Sequence, residues 1–362
     1  MASPEILPIR EADFPAIAQY IYDFERTVLA GDFGTEFTPT KSAAENLAFL
    51  RWALLDNPVK YSEFGMLIRS PEGQLIGFCP YCPFHFRFQD RRLLALASID
   101  WFADRSARIQ FVYLVKRLLE LPGVDFCFSN SSNEQSGPLW EKCGGRPLFG
   151  SDVDWLVPLR LGPLVREAFL RRGLIKLAGP AGVAARLGNW WVRARNTGGV
   201  RMRTQPTDDR KLIADLAERY RNRDAIVSDR NLDYLHWAYL AIQAVETRQL
   251  YHVVDPLGRD GWFSVSKRFW GLDRRIRMAI LLDWAVPPSG FEFADLVRAA
   301  ARAVSDECDV LAFRLRTDAP GLPRLPFLKK YKYANPKGYL VPPKNDPIGL
   351  VEKFQMNRAD AV

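Results

Sequence analysis

Two cysteines at a spacing suited to thiol chemistry are the first residues that invite a chemical interpretation. They belong to the segment Cys79-Pro80-Tyr81-Cys82, and His85 follows shortly after. Redox use of such a pair requires the first cysteine at a helix N-terminus, which lowers its pKa, but β-like residues lie on both sides here. A zinc site would require a fourth ligand, and the neighbouring sequence supplies none. We therefore expect a rigid, proline-containing strand at this point and no metal site.

A repeat of segments divides the chain into two similar halves. Three stretches of the first half reappear about 184 residues later, at nearly the same offset each time. The paired stretches are Phe49–Leu55 with Tyr234–Leu240, Leu96–Trp101 with Ala279–Trp284, and Trp155–Pro158 with Tyr339–Pro342. A nearly constant offset is hard to obtain by chance, so the sequence predicts two copies of one fold.

The composition is that of an ordinary globular protein. Its 362 residues are 48% apolar and 25% charged, which suffices for two domains with a core each. The first residues lack the apolar run of a secretory signal, and no later stretch stays apolar over the roughly 18 residues that span a bilayer. The cysteines, five in all, are odd in number and scattered, as is typical of reduced thiols. We expect a cytoplasmic protein, soluble or peripherally attached to the inner face of a membrane.

The formal net charge of +8 is concentrated in one segment. Between Leu161 and Val200, seven cations stand against the single acid Glu167, so most of the net charge lies there. The cations are Arg166, Arg171, Arg172, Lys176, Arg186, Arg193 and Arg195. Because the rest of the chain is nearly neutral, the charge pattern excludes a protein coated with basic residues for duplex DNA.

The elements that must position any site follow from the periodicity of the first half. The predicted helices are Phe14–Phe24, Ala43–Leu55, Ala107–Leu119 and Gly137–Lys142. The predicted strands are Leu7–Arg10, Phe64–Arg69, Gln74–Pro80, Leu93–Phe102, Asp125–Ser129 and a closing strand, Asp154–Leu159. A meander that ends in a strand–helix–strand crossover predicts an α/β fold in each half, a mixed and mainly antiparallel sheet flanked by helices. The predicted domains are residues 1–160 and 200–345, with a basic helical connector at 161–199 and a tail at 346–362.

The order of elements and one local motif resemble the Gcn5-related N-acetyltransferase superfamily, present here as two fused copies. The motif, Asn133 to Gly145, is similar to the family's late motif, in which an Asn precedes a small residue, Leu-Tyr, a Lys and Gly-Phe. Trp140 replaces the Tyr, and Gly145 replaces the Phe. The segments around Trp52 and Trp237 resemble a divergent branch found with polysaccharide biosynthesis genes.

The resemblance implies a site for an acyl-CoA in the first half. The family holds the pyrophosphate on the backbone N–H groups of a glycine-rich loop at a helix N-terminus. The cofactor-binding residues implied here are Arg105, Ser106, Arg108 and Asn133. Because Arg108 stands at a glycine position, phosphate would have to be held by guanidinium groups; the alternative is that the loop only caps the helix. The corresponding segment of the second half, 287–292, has one glycine and no cation, so we expect no CoA there.

Acyl transfer to an amine also requires a base for the ammonium proton and an acid for the leaving thiolate. Asp100 and Asp283 follow the central strands of the two halves, near where the family has a base. A shared structural role, as a helix cap or an ion pair, is the alternative that we favour, because both copies carry the residue. Trp140 cannot transfer a proton, which makes Tyr113 the substitute candidate for the acid.

The basic connector admits three interpretations. Its leucines recur at helical spacing among the arginines, and Trp190-Trp191 lie near its end. A basic amphipathic helix pair can lie on an anionic membrane surface, or it can receive an acidic acyl carrier protein. The third and simplest interpretation is an interdomain helix that packs on both sheets while its arginines stay solvated.

The resemblance predicts an N-acyltransferase that moves an acyl group from an acyl-CoA, such as acetyl-CoA, or from an acyl-carrier thioester to an amine of a small molecule or sugar. The thioester is a cosubstrate, and we expect no permanently bound cofactor. The missing glycines and the missing Tyr favour a non-catalytic tandem scaffold as the alternative. A two-domain chain is also similar to the Fem aminoacyl transferases, which use charged tRNA, but the near-neutral halves count against tRNA binding.

Overall fold

The computed structural model describes residues 3–29, 41–99, 101–118, 120–132, 136–148, 150–199, 202–244, 246–271, 275–287, 293–315, 325, 328–333, 336–343, 346 and 349–354. The helices of the first half are α1 (Phe14–Phe24), α2 (Ala43–Leu50), α3 (Arg108–Leu118) and α4 (Ser136–Lys142). Its strands are β1 (Glu5–Pro8), β2 (Gly65–Arg69), β3 (Leu75–Phe88), β4 (Arg91–Ser98), β5 (Phe102–Ala103), β6 (Phe126–Ser129), β7 (Arg146–Pro147) and β8 (Val153–Pro158).

The connector folds into three helices, and the second half then follows a similar order of elements. The connector helices are α5 (Leu161–Arg171), α6 (Ile175–Ala185) and α7 (Asn189–Thr197). The helices of the second half are α8 (Arg210–Arg219), α9 (Leu232–Tyr239), α10 (Phe293–Val304) and α11 (Leu350–Lys353). Its strands are β9 (Arg203–Pro206), β10 (Val227–Ser228), β11 (Thr247–Val254), β12 (Asp260–Trp270), β13 (Ile276–Ala285), β14 (Val310–Phe313), β15 (Lys329–Lys332) and β16 (Tyr339–Val341).

Two mixed sheets enclose a shared core. The first has the strand order β1-β2-β3-β4-β6-β16-β7, with β5 and β10 also paired to β3, and the second has the order β15-β8-β14-β13-β12-β11-β9. Apolar side chains on the inner faces of both sheets pack with α1, α2, α8 and α9 in one continuous cluster. The outer face of the first sheet is covered by α3, and that of the second by α10. The α/β fold that the sequence predicts is confirmed.

Each sheet takes one of its strands from the other half of the chain. Strand β8 of the first half pairs with β14 and β15 in the second sheet. Reciprocally, β16 of the second half pairs with β6 and β7 in the first sheet. This exchange corrects the expectation that Asp154–Leu159 closes the sheet of its own half. The sequence could not reveal it, because β8 and β16 carry similar short apolar patterns, and such a pattern does not specify the partner strand.

A pair of tryptophans joins the two halves at the centre of the core. The indole rings of Trp52 and Trp237 stack with their centroids 4.6 Å apart. Each indole N–H donates a hydrogen bond to the backbone carbonyl of the other residue, at 2.9 Å for Trp52 and 2.8 Å for Trp237. Both side chains are buried. The reciprocal bonds satisfy two polar groups that the core would otherwise leave unpaired, so burying these large side chains costs no hydrogen bond.

The same strand–helix–strand crossover occurs in both sheets. Strands β4 and β6 run parallel on either side of α3, as β13 and β14 do on either side of α10. In the second sheet, parallel pairing ends at Ile280 and Ala312, while β13 continues to Ala285 with a bulge opposite Ser264 and Val265. The carboxyl end of β13 therefore projects beyond its parallel neighbour, where a ligand can reach it.

No helix in the described ranges is both long and apolar enough to cross a bilayer.

Candidate functional site

The clearest concave site among the described residues lies in the second half, at the carboxyl end of β13. It is a cavity of about 720 Å³ whose walls come from α8, the chain between α8 and α9, the first turn of α9, and the end of β13. Asn231 caps α9 by accepting the Tyr234 backbone N–H at 2.9 Å, and this cap fixes one wall. No sequence motif predicts the cavity, because its residues come from segments that are far apart in the chain.

A buried ion pair lies at the base of this cavity. The carboxylate of Asp283 is fully buried, and the guanidinium of Arg230, which lines the cavity, donates a hydrogen bond to it through Nε. Arg230 also donates to the Ser228 carbonyl at 3.0 Å, and the Trp284 backbone N–H donates to Asp283 at 2.8 Å. Burial and the neighbouring Asp283 carboxylate raise the pKa of Tyr239, whose hydroxyl contacts the same carboxylate. Asp283 is thus held on several sides, an arrangement that fits the ion-pair alternative.

The cavity wall carries more carboxylates than guanidiniums. Asp229 pairs with Arg92 of the first half at 2.9 Å, and Glu218 pairs with Arg221 at 3.0 Å. The two other acids of the wall, Asp215 and Asp233, make no ion pair with the residues that the structure describes. The wall therefore presents two solvent-exposed carboxylates that no described cation pairs with.

The acyl-CoA site implied for the first half lies at the start of α3. A single 3-10 turn, Arg105–Ala107, leads into this helix. The turn is anchored by the Asp104 backbone N–H, which donates to the Ile76 carbonyl at 2.9 Å, and by the Tyr20 hydroxyl, which donates to the Asp104 carboxylate. Ser106 is exposed at the helix start, and the backbone alone of Arg105 and Arg108 is described.

The other predicted site residues are only partly placed. Asp100 and Asn133 lie outside the described residues. Tyr113 is 62% exposed on the surface of α3. The indole of Trp140, which replaces the family's Tyr, is fully buried and lies against Trp101, with the ring centroids 5.1 Å apart. The first-half site therefore stays a prediction at the level of its side chains.

The exchanged strand β16 contacts α4, the helix that carries the first-half motif, and the sequence did not predict this contact. Tyr339 of β16 donates a hydrogen bond to Glu141 of α4 at 3.1 Å. Burial and this carboxylate raise the pKa of Tyr339 to about 12. A side chain at Gly137 would meet the Tyr339 hydroxyl at 2.9 Å, so the glycine is required for the close approach. The second half thus supports the helix that carries the motif of the first.

The two cysteines singled out by their spacing lie on opposite faces of β3. Cys79 packs in the core under α3, and Cys82 packs in the core between the sheets. Burial raises the pKa of the Cys79 thiol to about 12 and raises the pKa of Cys82 as well. Side chains that point to opposite faces cannot share a metal ion or form a disulfide. The prediction of a strand through this motif is confirmed.

Solved structures share this architecture over nearly the whole chain. A GCN5-related N-acetyltransferase from Anabaena variabilis superposes with a TM-score of 0.56 at 10% identity, covering 93% of this chain and 72% of its own. The chain has the fold of the GCN5-related N-acetyltransferases. Another member of that group, from Kribbella flavida, has a TM-score of 0.51 at 11% identity and covers 93% of this chain and 70% of its own.

The N-acetyltransferase fold is shared with a longer-chain acyltransferase. An N-myristoyltransferase from Saccharomyces cerevisiae, solved with bound myristoyl-CoA, superposes with a TM-score of 0.56 at 13% identity, covering 96% of this chain and 80% of its own. No protein-family model and no curated protein sequence matches the chain. The resemblance seen in the sequence is therefore confirmed at the level of the fold.

The cavity of the second half and the start of α3 are separate sites within this N-acetyltransferase fold. Arg92, which is paired with the cavity residue Asp229, lies near the beginning of β4, whereas Ser98 ends that strand. At about 3.3 Å per residue, the strand between them spans about 20 Å. The end of β4 that leads toward the start of α3 is thus the end remote from Arg92.

Proposed function

We propose that the protein is an N-acyltransferase whose first half binds an acyl-CoA, or a related acyl-carrier thioester, and transfers the acyl group to an amine of a small molecule or sugar. The observation that carries the proposal is the likeness along nearly the whole chain to an N-myristoyltransferase that holds myristoyl-CoA. The start of α3, with Arg105 and Arg108 beside it, supplies backbone N–H groups and positive charge for the pyrophosphate.

The proposed reaction is a direct transfer. The amine nitrogen attacks the thioester carbonyl carbon, the carbon–sulfur bond breaks, and the thiolate leaves. The ammonium proton must be removed before attack, and we assign this step to Asp100, while the structural role that the sequence favours for both aspartates falls to the ion-paired Asp283. The nitrogen gives up its second proton to water as the amide forms, and the thiolate takes a proton from water or from Tyr113, which is exposed.

We propose further that the second half binds a ligand and does not catalyse. The buried pairing of Asp283 with Arg230 supports this division, because a fully buried carboxylate that is engaged by a guanidinium is not open to a substrate. The ligand class that suits the cavity carries an amine, which would face Asp215 and Asp233, and neutral polar groups for Asn231 and Ser228.

Calorimetric titration with myristoyl-CoA and acetyl-CoA tests donor binding. The double variant Arg105→Ala/Arg108→Ala should weaken binding at least tenfold, since two charge-assisted hydrogen bonds to phosphate are removed. Arg203→Ala, an exposed arginine on β9, is the control and should bind as the parent does. Failure of the parent protein to bind either acyl-CoA would overturn the proposal.

Release of free CoA in the presence of a panel of amines tests whether the first half catalyses the transfer and the second half only binds a ligand. Asp100→Asn should abolish release, whereas Asp215→Asn/Asp233→Asn should leave the rate with a saturating short amine within about twofold, because the proposal places the donor at the start of α3 and not in the cavity. The reverse outcome, loss of turnover with the cavity variants alone, would assign catalysis to the second half.

A further inference from the structure

Exposed apolar side chains are concentrated on the connector. Among the described residues, most of the large hydrophobic side chains that solvent reaches lie between residues 174 and 191, and the others are scattered. Those on the connector are Leu174, Ile175, Leu177, Val183, Leu187, Trp190 and Trp191. Leu187 is 91% exposed and Trp190 is 79% exposed. An apolar patch of this kind on a folded surface marks a site of contact with another phase or molecule.

The packing of the helix hairpin explains why these side chains face outward. Helices α5 and α6 approach backbone to backbone at Gly162 and Gly182, where a side chain on either glycine would meet the carbonyl of the other at 2.8 or 3.0 Å. The face of α6 that carries Ala178 and Gly182 is therefore the buried one. Val183 points away from that face, Leu187 lies in the 3-10 turn that follows α6, and Ile175 is exposed in the first turn of the helix.

The exposed charges that the connector itself carries are all positive. Arg172, Lys176, Arg186 and Arg195 are exposed, and no ion pair with a described acid holds them. The one acid of the connector, Glu167, is buried and receives a hydrogen bond from Arg171 at 2.7 Å. We call the exposed apolar residues and these four cations the connector surface.

The connector surface is held rigidly on the second half. Asn196 of α7 donates to the Pro158 carbonyl at 2.6 Å, and Arg193 pairs with Asp306 at 2.7 Å. Asn189 accepts the Leu161 backbone N–H at 2.7 Å and so ties the end of the connector to its beginning. The backbone that carries the surface is thus formed before any partner arrives, so its ordering adds no cost on binding.

We propose that the connector surface docks the protein onto a membrane that contains anionic phospholipid. Indole rings and aliphatic side chains enter the interfacial region, while the surrounding arginines and lysine meet the phosphate headgroups. A second copy of the chain is a poor occupant, because a twofold contact would bring like charges together. An acidic acyl carrier protein satisfies the charge, but two exposed tryptophans and five exposed aliphatic residues suit a fluid interface better.

Sedimentation of the full-length protein with vesicles tests the proposal. One vesicle is pure phosphatidylcholine, and the other contains about 30 mol% phosphatidylglycerol. The parent protein should sediment with the anionic vesicles, with a blue shift of tryptophan emission, and much less with the neutral ones. Each basic residue near such a surface strengthens binding by about fivefold, so Arg172→Gln/Lys176→Gln/Arg186→Gln/Arg195→Gln should weaken it by more than a hundredfold.

Matched variants separate the connector surface from net charge and from unfolding. Arg203→Gln/Lys211→Gln/Lys329→Gln/Lys330→Gln removes the same charge from exposed positions elsewhere and should cost less than threefold. Leu187→Ser/Trp190→Ser should abolish binding, whereas Leu257→Ser/Phe269→Ser, also exposed, should not. All variants should keep the parent's melting temperature. The proposal is overturned if the parent protein does not bind anionic vesicles or if both charge variants lose binding equally. Binding of an acidic carrier protein alone would also overturn it.

Discussion

At the scale of single residues, the ion pair of Arg230 and Asp283 shows how a candidate catalytic group becomes a structural one. Both copies of the repeat carry an aspartate at this position, and the sequence alone leaves its role open between base and ion pair. The structure surrounds Asp283 with a guanidinium, a backbone N–H and a phenol. Such a carboxylate stabilises the cavity wall, so its removal should affect the free energy of unfolding more than the rate of acyl transfer.

Removal of one partner of this ion pair should lower the free energy of unfolding substantially. Arg230→Met leaves a charged carboxylate buried without its counter-ion, and the free energy of unfolding should fall by about 3–5 kcal/mol. Arg92→Met breaks the more exposed pair with Asp229 and should cost less than about 1 kcal/mol. Urea denaturation measures both. Equal losses would mean that Asp283 is not held as the geometry indicates.

Buried thiols make the folded chain sensitive to alkali. Burial raises the pKa of Cys79 from its ordinary value of 9.0 to about 12, so between these values the unfolded chain loses a proton that the folded chain keeps. The free energy of unfolding should therefore be undiminished below pH 9 and fall as the pH rises toward 12. Urea denaturation at about pH 7.5 and about pH 10.5 should show a smaller drop for Cys79→Ala than for the parent. Cys143→Ala, at a half-buried position, is the control and should change the drop less.

At the scale of elements, local patterns predict most of the structure. The bounds of α1, Phe14–Phe24, agree with the periodicity of the sequence. Strand β3 runs farther than predicted, to Phe88, because its prolines are tolerated. Tyr81 donates its N–H from the edge of β3 that faces β2. The nitrogen of Pro83, two residues later, faces the same edge, in the gap between the part of β3 that pairs with β2 and the part that pairs with β10. That edge requires no hydrogen bond from the proline.

The hairpin of α5 and α6 depends on two glycines in contact. Gly162→Ala would place a methyl group 2.8 Å from the Gly182 carbonyl, and the helices must separate. We expect a loss of about 1–3 kcal/mol from this overpacking. Gly179→Ala, on the same hairpin with open space around it, should be neutral or stabilising by up to about 1 kcal/mol. Thermal unfolding followed by circular dichroism distinguishes them, and equal effects would contradict the packing.

At the scale of the whole molecule, the exchange of β8 and β16 makes the two sheets interdependent. No local pattern predicts this, since the closing strands of the two halves carry similar short apolar sequences. The cavity escapes prediction for a similar reason, because its wall unites α8, the start of α9 and the end of β13. Sequence spacing identifies the elements; long-range pairing decides which of them meet.

Hydrogen exchange can detect this interdependence. Leu340→Ala removes a fully buried side chain from β16 and should cost about 2–5 kcal/mol. Exchange should accelerate in β6 of the first sheet, whose Phe128 is paired with Leu340, more than in β14. Val157→Ala in β8 should have the opposite pattern, with faster exchange in β14. The same profile from both variants would exclude reciprocal exchange of the strands.

The exchanged strands also determine when each sheet can be completed during synthesis of the chain. The first sheet cannot be completed when its own half leaves the ribosome, because β16 follows β6 by about 210 residues and is made about 10–40 s later. During that interval the edge of β6 is unpaired, and β8, already synthesised, has no partner in either sheet. A chaperone that covers open strand edges should therefore be needed by the nascent chain more than by the refolding, full-length protein.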